Sequence, residues 1–407
     1  MVVSKANQQV NAPAARVEPA RPALAPFVGD DFDRDVWSVL GIPVDLATAP
    51  QAVVAIEAAA RDRRPLSFVT PNVNFLVRAV GDAAARRDIL DTDLSLVDGA
   101  PLVALGRLTG VPVRERCAGS DVFDALRRRP GFPGRRIRVF FFGGRDGAAE
   151  AAALTVEREG RGIEAAGFHD PGAGDVASMS GDAIIEKINA SSADFLVVAL
   201  GAAKGQAWIT QNRHRLDAPI VAHLGAVVDF TAGSIARAPK WVRRLGLEWA
   251  WRIKEEPSLW RRYWRDGLGL LGLLARALPT AIAANAPKAA KPASASFRRE
   301  PGRTIVDLAG DLTEPNRDAL RVALRAAALE GRDIVLDLGA VSRIDASFLG
   351  LTLMLEKNLA ARGAAVFLAS PSRRNRRLFA AHSMNYAIVD LAAAKATDVG
   401  PAIAAAV

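Results

Sequence analysis

Short apolar runs, each closed by a turn residue, recur through the first two thirds of the chain. Leu66–Thr70 (LSFVT) predicts a strand, followed by a Pro-Asn turn and a helical spacing that continues to Leu90. Leu94–Val97 predicts a short strand running into Asp98-Gly99. Ile137–Phe142 (IRVFFF) predicts a buried strand entering Gly143-Gly144, with an Ala-rich helix behind it. Ile163–Phe168 and Phe195–Leu200 (FLVVAL) predict two more strands, Gly201 closing the second, and Ile220–Leu224 predicts another that ends at Gly225. Apolar runs of strand length alternating with helical periods imply βαβ units and a largely parallel sheet.

The expected fold class is therefore α/β, a Rossmann-like, mostly parallel sheet with helices on both faces. In such sheets ligands collect at the carboxyl ends of the strands. Thr70, Asn72, Asp98, Gly143, Gly201 and Gly225 then share one rim, and His223, at the end of its strand, is a candidate for ligand contact. The pattern changes near Pro279. Residues 280–296 are Ala, Pro and Lys without a period and read as a linker. A smaller α/β block follows over 297–393, with strands at Thr304–Leu308, Ile334–Leu338 (IVLDL) and Ala365–Ala369, and helices at Pro315–Glu330 and Ser347–Arg362. Residues 1–30 read as a disordered lead-in, 31–239 as the first domain, 240–279 as an appendage and 394–407 as an Ala-rich tail.

Composition narrows the function classes. The 407 residues are half apolar and 24% charged, a globular balance spread over two or three domains. One cysteine, Cys117, excludes a disulfide framework and a cysteine-ligated cluster, and four scattered histidines argue against a multi-histidine metal centre. The net charge of +9 points to an anionic partner. No signal-like apolar core precedes Phe27, and the most apolar stretch, Leu268 to Leu278, falls short of the roughly 20 residues of a membrane span. A protein that is soluble or rests on a membrane is expected.

Several short motifs carry chemistry. Gly143-Gly144-Arg145-Asp146-Gly147, between strand and helix, suits a phosphate held by backbone N–H groups, or simply a tight turn. Asp98-Gly99 places a carboxylate at the rim, where it can accept a hydroxyl proton, or it forms a turn. Asp91-Thr92-Asp93 and Asp31-Phe32-Asp33 match a metal-holding DxD triplet but read as solvated turns or helix ends. Lys240 to Arg265 holds five of the seven tryptophans and eight basic residues against Glu248, Glu255 and Glu256. Such a stretch suits an anionic membrane surface or a diphosphate substrate, with some tryptophans packed on the core. Aromatic–basic interleaving also suits single-stranded nucleic acid, but no nucleic-acid-binding signature accompanies it, so no nucleic-acid partner is expected.

In order along the chain, Thr70-x-Asn72, Asp98-Gly99, Arg116-x-x-Gly119-x-Asp121, Gly143-Gly144, Ile188-Asn189, Asp194, Leu200-Gly201, Lys204, Trp208, Gly225 and Asp229-x-x-Ala232-Gly233 resemble the WecG/TagA/CpsF family of bacterial glycosyltransferases. Arg237-Ala238-Pro239, Trp241, Leu247-Glu248-Trp249, Arg252, Glu256-Pro257 and Arg262-Tyr263 extend the resemblance, which covers about Val36 to Tyr263. It implies an inverting transferase that moves a sugar from a UDP-sugar to a polyprenyl-diphosphate-linked saccharide, with no metal cofactor. The product feeds exopolysaccharide, capsule or another surface polysaccharide. The implied location is cytoplasmic, peripheral on the anionic inner face of the cytoplasmic membrane. By resemblance Asp98 looks like the general base, Thr70 and Asn72 like substrate-positioning residues, and Arg237, Arg252 and Arg262 like partners of diphosphate charge. Gly143, Gly144, Gly201 and Lys204 join the substrate-binding set. The chain departs from the family's Pro-Lys-Gln-Glu-x-Trp: Lys204 and Trp208 stand, but Gly205 and Gln206 replace the Gln-Glu pair, with Gln206 a partial substitute.

The second block resembles a STAS domain, the fold of anti-sigma-factor antagonists, through Gly310-Asp311-Leu312, Ile334–Leu338 and Ile344-Asp345-Ala346-Ser347-x-Leu349-Gly350. It implies regulation or docking through a protein partner. Ser347 falls where the antagonist subgroup carries its phosphorylatable serine, or it serves as a helix N-cap. Phe348 stands where that family has glycine. The alternative function is a catalytically impaired, transferase-like binding protein whose STAS domain acts as the regulatory module.

Overall fold

The computed structural model describes residues 30–391 apart from Pro133 and residues 286–288. The expected lead-in and tail lie outside the described residues, as does the centre of the expected linker. Two compact units divide between Leu278 and Pro279, and each is described by itself.

The first unit opens with an antiparallel hairpin, β1 (Val36–Val39) and β2 (Ile42–Asp45), turning at Leu40-Gly41 where both residues have positive φ. Its core is a sheet of six parallel strands: β3 (Leu66–Val69), β4 (Leu94–Ser95), β5 (Ile137–Gly143), β6 (Ile163–His169), β7 (Phe195–Ala199) and β8 (Ile220–His223). They lie in the order β4-β3-β8-β7-β5-β6. The central strands are buried along their whole length because both faces are covered, which is why they read as unbroken apolar runs. Side chains alternate across the sheet with the two-residue period of a strand. Val139, Phe141, Phe195 and Val197 enter one core with Phe68 and Phe123. Phe140, Phe142, Leu196 and Val198 enter the other with Trp208, whose Nε1 donates to Met179 O at 2.8 Å. All six carboxyl ends open on one rim, as parallel pairing requires.

The helical period after β3 is two helices, Val73–Gly81 and Ala83–Leu90, broken at Asp82, whose carboxylate accepts from Ala84 N and Ala85 N. Asp31-Phe32-Asp33 is a short 3-10 turn capped by Asp30. Asp91 pairs with Arg87, and Asp93 accepts from Ser67 N and Oγ. Both DxD triplets are structural.

The linker expectation is shortened from both sides. The helix Trp260–Ala284 continues through Pro279, and β9 (Ser294–Glu300) begins before residue 297. That helix is 25 residues long, more than twice the apolar run visible in the sequence, because it takes in residues 260–267 before that run and 279–284 after it. It is long and apolar enough to cross a membrane by length and composition, and only 22% of its most apolar window is buried.

The second unit is a mixed sheet of β9, β10 (Arg303–Leu312), β11 (Asp333–Ile344), β12 (Val366–Ala369) and β13 (Ile388–Val389), ordered β13-β12-β11-β10-β9. Only β9 runs antiparallel, at the edge. The helix Ala346–Ala360 is buried along most of its length.

Candidate functional site

The loops leaving the strand ends enclose a cleft of about 1100 Å³ that lies within the first unit. Thr70, Asn72, Asp98, Gly143, Gly144, Gly201, Lys204, His223, Arg252 and Arg262 line it. Gln206 and Arg237 do not.

Asp98 lies three residues past the end of β4, after Leu96 and Val97. Its backbone N–H donates to Pro71 O at 2.8 Å, which ties the turn to the one after β3. Gly99, at φ +90°, then starts the helix Ala100–Leu108. The Asp98 side chain is 27% exposed and sits 3.8 Å from Arg116 Nη1. Arg116 also pairs with Asp121 at 2.8 Å and with Glu248, so one guanidinium is shared among three carboxylates. Burial raises the Asp98 pKa, Arg116 opposes the rise, and Glu248 and Asp121 add to it. The net effect lifts it from 3.8 to about 6. A carboxylate tuned this way is ionised at neutral pH yet basic enough to take a proton, the profile of a general base.

Asn72 caps the helix Val73–Gly81, its Oδ1 accepting from Asn74 N at 3.0 Å and Phe75 N at 3.5 Å. The cap holds the Asn72 side chain in place on the cleft wall. Asn74 in turn donates to both oxygens of buried Asp266 on the long helix.

Two N–H groups of the Gly143–Gly147 turn are taken up by the protein itself. Gly144 N–H donates to Ala199 O at 2.9 Å and Arg145 N–H to Asp229 Oδ1 at 3.2 Å. Both glycines, at φ +83° and +105°, allow close approach: a Cβ would stand 2.8 Å from Ala199 O at 143 and 2.9 Å from Val228 Cγ1 at 144. The helix Ala202–Asn212 also opens its amino terminus, at Gly201, on the cleft wall, and such a terminus carries free N–H groups and partial positive charge. Lys204, one turn in, donates to Gly174 O at 2.6 Å.

Gln206 is turned away from the cleft. It is buried, and its Nε2 donates to Asp88 O at 3.1 Å. One residue along a helix rotates a side chain by about 100°, so Gln206 does not stand in for a side chain at 205. A side chain at 205 would have to displace the His223 ring, because a Cβ there would stand 2.1 Å from His223 Cδ2. The His223 ring lies in that volume.

Among the three arginines, Arg252 and Arg262 reach the cleft. Their Nε atoms are buried without a partner among the described residues, and Arg252 pairs with Glu256 at 3.6 Å. Arg237 is paired with Asp121, Asp124 and Ser120 Oγ, and lines an adjoining cavity that shares Ala100, Arg116 and Arg243 with the cleft. The acidic residues of the helix Gly119–Arg128 take up its guanidinium.

None of the five clustered tryptophans is buried. Trp241, Trp249, Trp260 and Trp264 are exposed, Trp264 by 65%, and Trp251 is half-buried with its Nε1 donating to Ala236 O. Trp249, Trp260 and Trp264 line the cleft, and Leu268 and Leu271 continue the exposed apolar strip from it.

In the second unit Asp345, not Ser347, caps the helix Ala346–Ala360. Ser347 has 0% exposure and its hydroxyl donates to Asp345 Oδ1 at 2.6 Å. The hydroxyl is inaccessible to a kinase unless the helix start opens. Cys117 is buried, and burial pushes its thiol well above the usual range.

Residue reasoning assigned no role to Arg116 or Glu248, although both stood in the motif series. They are 132 positions apart and meet only through the fold.

Comparison with known proteins adds to this geometry. Residues 37–282 match the model of the glycosyl transferase WecG/TagA/CpsF family, and residues 295–390 match Mlab, STAS domain. An N-acetylglucosaminyldiphosphoundecaprenol N-acetyl-beta-D-mannosaminyltransferase of Bacillus spizizenii is 32% identical over 198 residues, 48% of this chain and 73% of that protein. A protein of the same name from Bacillus subtilis is 28% identical over 197 residues, again 48% and 73%. Among solved structures, the Bacillus cell fate determinant SpoIIAA in its phosphorylated form is 21% identical, covering 26% of this chain and 96% of its own, with a TM-score of 0.23.

Proposed function

The chain belongs to the WecG/TagA/CpsF family of glycosyl transferases, and on that premise we propose that it moves a sugar from a UDP-sugar to a polyprenyl-diphosphate-linked saccharide. N-acetylglucosaminyl-diphospho-polyprenol is the acceptor class suggested by the relatives. Asp98 takes the proton of the acceptor hydroxyl as that oxygen attacks the anomeric carbon. The nucleoside diphosphate leaves from the opposite face, which inverts the anomeric centre. Thr70 and the Asn72 amide hold the substrate beside the base. Arg252 and Arg262 meet diphosphate charge, so no divalent cation is required.

What supports this reading is the convergence of Asp98, Thr70, Asn72, Arg252 and Arg262 on one cleft, with the Asp98 pKa lifted to about 6. The exposed strip of Trp260, Trp264, Leu268 and Leu271 beside the mouth suits a lipid acceptor drawn from an anionic membrane surface. The location that follows is peripheral, on the cytoplasmic face, in surface or exopolysaccharide synthesis. The STAS domain serves regulation or docking through a protein partner. The test is a screen of radiolabelled UDP-sugars against a lipid-diphosphate N-acetylglucosamine with EDTA present. Transfer that depends on both substrates is expected. No transfer with any donor favours the impaired, binding-only alternative.

A further inference from the structure

We propose that His223, seated in the space left by Gly205, recognises the sugar ring of the donor and sets donor choice; this deepens the transferase reading and rests on it. The strand order β4-β3-β8-β7 lays out the reaction along the rim. Asp98 follows β4, and Gly201 follows β7 and begins the helix whose amino terminus opens on the cleft, a terminus suited to an anion. Neighbouring strands are about 4.8 Å apart, so base and anion site are separated by roughly 14 Å. A base, an acceptor oxygen, an anomeric carbon and a leaving phosphate in line make three steps of ~3 Å, about 9 Å in all, which fits between those two ends. The transferred sugar then lies over the ends of β3 and β8, and the side chain at the end of β8 is His223.

The imidazole is built for that position. It is 7% exposed and lines the cleft. Its Nε2 is enclosed without a hydrogen-bond partner among the described residues, an uncommon condition for a buried polar atom. Nε2 stands 3.3 Å from the point a Cβ on Gly225 would occupy. Gly225 is itself a cleft residue. Phe75 packs beside the ring, with centroids 6.2 Å apart. Burial, with Arg78 nearby, lowers the His223 pKa to about 4. The ring is thus a neutral hydrogen-bonding group through the physiological range, suited to a hydroxyl or acetamido group. Gly205 makes the arrangement possible, since any Cβ there would strike the ring at 2.1 Å.

Equilibrium binding to the full chain separates sugar recognition from structural support. The ligands are UDP, UDP-N-acetylmannosamine and UDP-N-acetylglucosamine. His223→Ala is expected to weaken the better-bound sugar nucleotide about tenfold, the equivalent of ~1.4 kcal/mol, and to change UDP affinity less than about twofold. His223→Gln, which can place a nitrogen near Nε2, is expected to recover part of the loss. Gly205→Ala is expected to reproduce the selective loss, and the Gly205→Ala/His223→Ala pair to bind no worse than His223→Ala alone. An equal loss for UDP, an unchanged sugar-nucleotide affinity, or fully additive effects of the pair would overturn the proposal. A wild-type chain that binds neither UDP nor either sugar nucleotide overturns the transferase reading, and this one with it.

Discussion

Replacing Asp98 by asparagine separates a catalytic carboxylate from a structural one, because the two roles move rate and stability in different directions. The amide keeps shape and volume but cannot take a proton. Positioned base catalysis contributes about 10²–10⁴-fold, so kcat should fall at least a hundredfold. Stability should rise. The folded-state pKa of Asp98 is lifted from 3.8 to about 6, so the folded chain holds that proton more tightly than the unfolded one. The favourable contribution is complete below pH 3.8 and is lost as pH rises through 6; at neutral pH the ionised group opposes folding. A rise of about two units corresponds to at most ~3 kcal/mol. With the side chain 27% exposed, solvent screening reduces this to ~1–2 kcal/mol. Arg116 keeps Asp121 and Glu248 as partners, so the substitution strands no charge. For a unit of this size the gain is roughly 2–6 °C in Tm. The assays are steady-state transfer and thermal unfolding at pH 7.5 and pH 4, where the Tm difference should close. Wild-type kcat/KM should climb with pH and level off above about 6, following Asp98. A variant that keeps more than a tenth of wild-type turnover, or a wild-type rate flat between pH 5 and 7, refutes the reasoning.

Other outcomes follow from the same geometry. Arg252→Ala and Arg262→Ala should each cost about tenfold or more in kcat/KM through lost charge-assisted contacts, whereas Arg237→Ala should instead lower Tm, since its partners Asp121 and Asp124 are protein groups; matched kinetics in all three would contradict the placement. Trp264→Ala combined with Leu271→Ala removes two exposed apolar side chains and should weaken co-sedimentation with anionic vesicles several-fold while leaving Tm within about 2 °C; undiminished binding refutes the interfacial role. Ser347→Glu puts a charge into an enclosed site beside Asp345 and should destabilise the second unit by ~3 kcal/mol or more; a Tm within 1 °C of wild type would mean the helix start opens readily.

The sheet was legible because each central strand is buried on both faces and so appears as an unbroken apolar run ending in a turn residue. The rim followed from parallel pairing, and with it Asp98, Thr70, Asn72 and His223 in one cleft. The hairpin of β1 and β2 was missed: Val36–Val39 and Ile42–Asp45 are only four residues each, joined at Leu40-Gly41 without an Asn-Gly signal. Backbone hydrogen bonding is silent in a sequence, so the commitment of Gly144 N–H to Ala199 O was not foreseen. The same holds for side-chain facing. Gln206 sits one position from Gly205 yet points at Asp88, and Arg237 carries the charge of a phosphate ligand but pairs with Asp121 and Asp124 of the helix Gly119–Arg128. The long helix was underestimated because an apolar stripe interrupted by Arg261, Arg262 and Arg265 does not form a continuous run.

The most direct measurement is transfer of labelled sugar by the purified full-length chain onto a defined polyprenyl-diphosphate N-acetylglucosamine, with the anomeric configuration of the product read by NMR. The account predicts a disaccharide lipid of inverted configuration, formed with EDTA present and lost in Asp98→Asn. A retained configuration, or equal yield from the variant, would contradict it.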